Sequence, residues 1–203
     1  MGCDIHLHVE RRIPGLGWTY LGEPHELSRR NYAVFAILAN VRNARGSAGI
    51  PTGSGFVPIA EPRGLPADAT ETVRTASEDW GVEGHSRSWL ILREVLDYDY
   101  HQITTHQGVL DFAAFQRFDR YREACEPDGE FPSPQSWSRG VHEGDTLIPD
   151  TQARAMTEAP PRTYVRTTWK RRYLDDVKGF LAELVPYIKY GLDDVRLVFW
   201  FDN

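Results

Sequence analysis

The chain has little cysteine, almost no lysine and no long apolar run. Two cysteines in 203 residues, Cys3 and Cys125, cannot build a disulfide framework, and Cys3 reads as a core residue. A reducing cytoplasm is therefore the expected compartment. Nothing approaches the ~18 consecutive apolar residues of a membrane helix, so no membrane partner is expected. Asp4, His6 and His8 interrupt the first apolar run, which argues against a secretory signal. Met1-Gly2 opens like a myristoylation signal, but His6 stands where that signal takes Ser or Thr. The net charge of −6 argues against general nucleic-acid binding.

Acid is itself missing from two stretches. Leu27 to Ala60 has none, but holds Arg29, Arg30, Arg42 and Arg45, with Arg63 just beyond. Pro160 to Tyr173 has none, but holds Arg162, Arg166, Lys170, Arg171 and Arg172. Of the 23 basic residues only 3 are lysine, and guanidinium forks suit phosphate oxygens. Two basic patches in an acidic chain point to a local anion site.

What is present begins with the first ten residues, MGCDIHLHVE. Cys3, Ile5, Leu7 and Val9 alternate with Asp4, His6, His8 and Glu10. A period of two marks a strand with one buried face. The other face carries a row of carboxylates and imidazoles, same-face neighbours lying roughly 6.5–7 Å apart. Such a row reads as the floor of a functional site. Two imidazoles on one face suit a divalent metal (Zn, Mn or Mg) held by Asp4, His6 and His8. They equally suit an acid/base pair, and the motif does not choose between these.

Further along, Pro14, Gly15 and Gly17 predict a turn, and Trp18 to Leu21 a second strand forming a hairpin with the first. Ser28 is a good N-cap for a helix to about Val41. The segment 43–66 is punctuated by glycine and proline and is a candidate lid or phosphate clamp. A helix is expected over Ala67–Trp80, with Asp68 or Thr70 as its cap, and another from Asp111 to Cys125 with a core aromatic stripe. The segment 126–161 reads as a long irregular excursion. Thr163–Trp169 reads as a strand, Leu174–Tyr190 as a helix bent at Pro186, and Val195–Phe201 as a central strand buried on both sides. The strand-helix-strand order favours parallel neighbours joined by a crossover. The expected fold is α+β (mixed α/β), a single domain with a central mixed sheet and helices packed on it.

The stretches MGCDIHLHVE, RNYAVFAILANVRN, PRGLP, GHSRSWL, TTHQG and VRLVFWFDN resemble a family of uncharacterised phage and bacterial proteins that begin MGCDIH. The resemblance implies a small accessory protein made in an infected host, and by context an action against nucleotide signals of bacterial immunity. Asp4-Ile5-His6-Leu7-His8 is also similar to the first-strand D-x-H-x-H of PHP and amidohydrolase metal enzymes. Those barrels alternate strands and helices over about 250 residues, which this chain does not supply.

The resulting expectation is a phosphodiesterase-like hydrolase acting on a nucleotide or cyclic oligonucleotide. Asp4, His6, His8 and His106 are its candidate catalytic residues. Arg42, Arg63, His85, Trp89 and Arg166 are its candidate ligand-binding residues, with Tyr98 and Tyr100 as further platforms for a base. The alternative is a protein that binds and sequesters a small nucleotide without chemistry. A homo-oligomer is compatible with either.

Overall fold

The structure, a computed structural model, describes residues 2–24, 30–45, 50–125, 129–138 and 140–202. The chain is α+β, and it divides into two compact units, 1–43 with 56–100 and 176–203, and 44–55 with 101–175.

The first unit is built on an antiparallel sheet. The strands β1 (Ile5–Ile13), β2 (Gly17–Gly22), β3 (His85–Ile91) and β7 (Val195–Phe201) lie in the order β2-β1-β7-β3. The expected hairpin is β1 with β2. The first and last strands are direct neighbours, in register from Ile5 opposite Phe201 to Arg11 opposite Val195. Every residue of β7 is buried, because both faces of the sheet are covered. On one face, Phe35 of α1 (Tyr32–Ala39) meets Phe201 edge-on at 5.2 Å. The cap of α1 is Asn31, whose side chain accepts from the amides of Ala33 and Val34; Ser28 lies outside the described residues. On the other face, Ala69 and Val73 pack on Val198 and Trp200, which brings α2 (Glu71–Asp79) over the sheet. The short α3 (Leu92–Leu96) follows β3.

The second unit holds β4 (Ile103–Asp111), α4 (Phe112–Cys125), β5 (Thr146–Pro149), α5 (Asp150–Arg154) and β6 (Thr163–Arg172). Its sheet, in the order β4-β6-β5, is mixed: β4 runs antiparallel and β5 parallel to β6. The core gathers Leu110, Phe115, Phe118, Ile148, Val165 and Trp169, so the predicted aromatic stripe of α4 is core at its centre. Tyr121 leaves that core and is exposed.

Three expectations change. The last two strands are not parallel neighbours, since β6 and β7 belong to different sheets. The intervening α6 (Tyr173–Leu184) passes at Pro186 into a 3-10 turn, Val185–Tyr190, where the bend was expected. The segment 126–161 is not irregular throughout, because it contains β5 and α5 and bonds Ser138 to Val109 of β4. Trp137 from the same segment fills the space over Gly108, against Trp169 at 5.4 Å. Nor is 43–66 a free lid. Thr52 and Ser54 bond to Gln107 and Thr105 at the edge of β4. Between them Gly53, at φ +139°, passes so close that a Cβ would stand 1.8 Å from the Thr105 carbonyl oxygen. Only glycine fits that approach.

Candidate functional site

The predicted polar face of β1 is a gradient from sealed to open. Glu10 is fully buried and pairs with buried Arg196, Nε to Oε2 at 2.7 Å. Its other oxygen accepts the amide of Thr70 at 2.7 Å, at the start of α2. Arg196 also donates to the Asp68 carboxylate at 2.6 Å and lies 4.0 Å over the Trp18 ring. These bonds satisfy the buried charges and fix α2 at its N-terminal end. At the other end, Arg87 donates to the carbonyl of Ser77, which the last turn of the helix leaves open, and to that of Gly81 in the turn beyond it. Clamped at both ends, α2 delivers Trp80 to the sheet face.

His8 is the next step outward. It is 4% exposed, stacked on Trp200 at 4.8 Å and tilted against Tyr20 at 5.9 Å. Its Nδ1 is buried and makes no hydrogen bond among the described residues. The nearest carboxylate oxygen, Glu23 Oε1, stands 3.5 Å away. Burial pushes the imidazole below its ordinary pKa of 6.5, and the nearby Glu23 opposes the shift.

His6 reaches a cavity. Its ring lies 4.1 Å from that of Trp80, and its Nε2 is 3.2 Å from Asp202 Oδ2. Asp202 follows the last residue of β7, and its other oxygen accepts the amide of Asp4 at 2.9 Å. Asp4 is at the rim, where both its oxygens take the Arg30 guanidinium, at 2.6 and 2.8 Å. That fork holds the Asp4 carboxyl below the usual carboxylate range. Gly2 makes room for it, since a Cβ there would meet Arg30 Nη1 at 2.3 Å. The cavity is about 870 Å³ and lies wholly in the first unit, walled by Asp4, His6, Tyr20, Glu23, Trp80 and Asp202 and by apolar neighbours.

Of the expected site residues, only Asp4 and His6 line this cavity. His8 lies beneath its surface, so it is not a group that meets a ligand from solvent. The expected metal set is not assembled, because Arg30 occupies Asp4 and Trp200 covers His8. Among the described residues no group of three or more His, Cys, Asp or Glu side chains is placed to hold an ion.

The remaining expectations are dispersed. Arg63 forks onto Glu94 at 2.9 and 2.6 Å and stacks over Trp89 at 5.1 Å, so both serve the β3–α3 corner. Arg42 acts on the buried Cys3 thiol, where its charge opposes the upward push that burial gives the thiol pKa. His85 bonds Ser86 at 3.1 Å and stacks on Phe201. Tyr98 and Tyr100 donate to the carbonyls of Val57 and Val95, so they are structural. His106, stacked on Trp169 at 5.9 Å, and the exposed Arg166 belong to the second unit. No described residue of 43–66 lines the cavity.

Four residues of the site or its rim were not singled out from sequence: Asp202, Trp80, Glu23 and Arg30. Two of them carried a signal: Arg30 as one of the arginines of an acid-free stretch, and Asp202 as an acid closing a buried strand.

No helix among the described residues is long and apolar enough to cross a membrane. Compared with protein-family models, with curated proteins and with solved structures, the chain matches none.

Proposed function

We propose that the protein is a hydrolase of a small nucleotide, with His6 as the proton-transfer group. The observation that carries this reading is the His6–Asp202 pair, 3.2 Å apart in the wall of a cavity of about 870 Å³. A carboxylate on one ring nitrogen fixes the tautomer and orientation of an imidazole and leaves the other nitrogen to exchange protons. Here Asp202 holds Nε2, and Nδ1 is left for the reaction. The described lining offers no serine, threonine or cysteine, so the nucleophile is water: His6 takes its proton as it attacks phosphorus, a P–O ester bond breaks, and the proton passes from His6 to the leaving oxygen.

Charge narrows the substrate. Asp4, Glu23 and Asp202 face the cavity, and Arg30 neutralises only the first. A triphosphate would be repelled. A single phosphodiester, as in a cyclic nucleotide, presents one negative charge that Arg30 can meet at the rim. Trp80 and Tyr20 offer aromatic walls to a base. In the phage setting that the sequence resemblance implies, such an enzyme would remove a nucleotide signal of the host.

The second reading, sequestration without chemistry, uses the same cavity. Incubation of the full chain with a panel of cyclic mono- and dinucleotides, with and without Mg²⁺, Mn²⁺ or Zn²⁺, separates the two. The hydrolase reading expects a linear product by chromatography. Intact ligand recovered from a stable complex after heat denaturation favours sequestration.

A further inference from the structure

We propose that Glu23 reads the base of the substrate, and that the base is guanine. The inference rests on the nucleotide reading above and adds which nucleotide.

Among the described residues, Glu23 is the uncommitted carboxylate of the cavity wall. Asp4 is held by Arg30 and Asp202 by His6. Glu23 directly follows β2, and its side chain is 66% exposed. Among the described residues its ionisable partner is His8, at 3.5 Å and without a hydrogen bond. A buried imidazole nitrogen left without a partner is uncommon and calls for an explanation. It is explained if Glu23 turns onto His8 when a ligand is bound. Nδ1–H then donates to one lone pair of Oε1 and fixes the carboxylate plane. The outward lone pairs of both oxygens are left for the ligand.

A carboxylate fixed in this way accepts two parallel N–H groups. Among the standard bases only guanine presents two adjacent donors on one edge, N1–H and N2–H. Adenine and cytosine pair one donor with an acceptor, and uracil sets its single N–H between two carbonyls. An acceptor facing the carboxylate is repelled, so the wrong base loses an attraction and adds a repulsion. Tyr20, between His8 and the cavity, and Trp80 supply the apolar walls against which a planar base lies. The cavity volume falls in the range of nucleotide-sized sites.

Nucleosides test this without any cleavable phosphodiester. Guanosine, inosine and adenosine are titrated calorimetrically against the full chain and against Glu23→Gln, with agmatine as a cationic control. Guanosine is expected to bind at least ~10-fold tighter than inosine, which lacks the 2-amino group, and tighter still than adenosine. Glu23→Gln is expected to abolish that preference and leave adenosine unchanged. Because the side chain is largely exposed, the variant keeps the fold, which circular dichroism verifies. Equal binding of guanosine and adenosine, an unchanged preference in Glu23→Gln, or binding of agmatine in place of guanosine overturns the proposal. Cleavage of cyclic nucleotides regardless of base would sink this inference and leave the hydrolase standing. Guanosine bound through Glu23 with no cleavage of any phosphodiester would do the reverse.

Discussion

His6 and His8 are two residues apart on one strand face, and their surroundings divide them. Trp200 and Tyr20 seal His8, while the ring of His6 lies beside Trp80 at the cavity and bonds Asp202. The alternation in sequence placed both on one face, and it did so correctly. It carried no information on how far the cover over that face extends, because the cover comes from β2 and α2. The burial of His8 has a consequence for stability. Its folded pKa lies below the ordinary 6.5, chiefly through desolvation, with His6 acting in the same direction and Glu23 and Glu10 against it. Above pH 6.5 both folded and unfolded His8 are neutral, and its full contribution is present. Below that, the unfolded chain binds a proton that the folded chain refuses. Stability then falls with pH, by at most about 1.4 kcal/mol per unit, until the folded pKa is passed. Urea denaturation at pH 7 and pH 5 is expected to show a smaller difference in His8→Leu than in the parent chain. An unchanged difference would assign the pH dependence to other groups.

At the scale of elements, the pairing of β1 with β7 joins the two ends of the chain into one site. Ile5 opposite Phe201 brings Asp4 beside Asp202, where the Asp202 amide donates to the Asp4 carbonyl and the Asp4 amide to the Asp202 carboxylate. A pairing across nearly the whole chain has no local signal, which is why Asp202 was visible only as an acid closing a buried strand. The second element-level device is the anchoring of α2 by Glu10, Arg196 and Asp68. Glu10 was legible as part of a polar row, but not as one half of a buried ion pair, since its partner lies 186 residues away. Removing Glu10 leaves the buried Arg196 with Asp68 alone and the Thr70 amide without its acceptor, and breaking a buried pair in this way costs up to about 3–5 kcal/mol. Glu10→Leu is expected to lose stability on that scale in chemical denaturation. Adding Arg196→Met is expected to recover part of it. A loss under ~1 kcal/mol in the single variant would show that the pair does not anchor the helix.

For the whole molecule, long periodic segments were legible and short or borrowed ones were not. The hairpin, the buried last strand, the helix from Asp111 and the bend at Pro186 follow from alternation, apolar run, cap and missing N–H. The four-residue β5 was lost in a Pro- and Gly-rich segment because its pairing depends on β6. The arginines of the two acid-free stretches were read from composition as pointing to a local anion site. Arg30 instead forks onto Asp4, Arg63 onto Glu94 and Arg162 onto Asp145, so an acid-free stretch of sequence is not an acid-free neighbourhood. What remains is a single acid–base pair at the cavity, and the most direct test replaces His6. In His6→Gln the stacked side chain keeps its size, and β1 keeps its packing through Ile5 and Leu7. With a cyclic nucleotide that the parent chain cleaves, turnover is expected to fall ~10²–10⁴-fold while calorimetric affinity changes little. Turnover within a few-fold of the parent, or affinity lost in step with activity, would contradict the role given to His6.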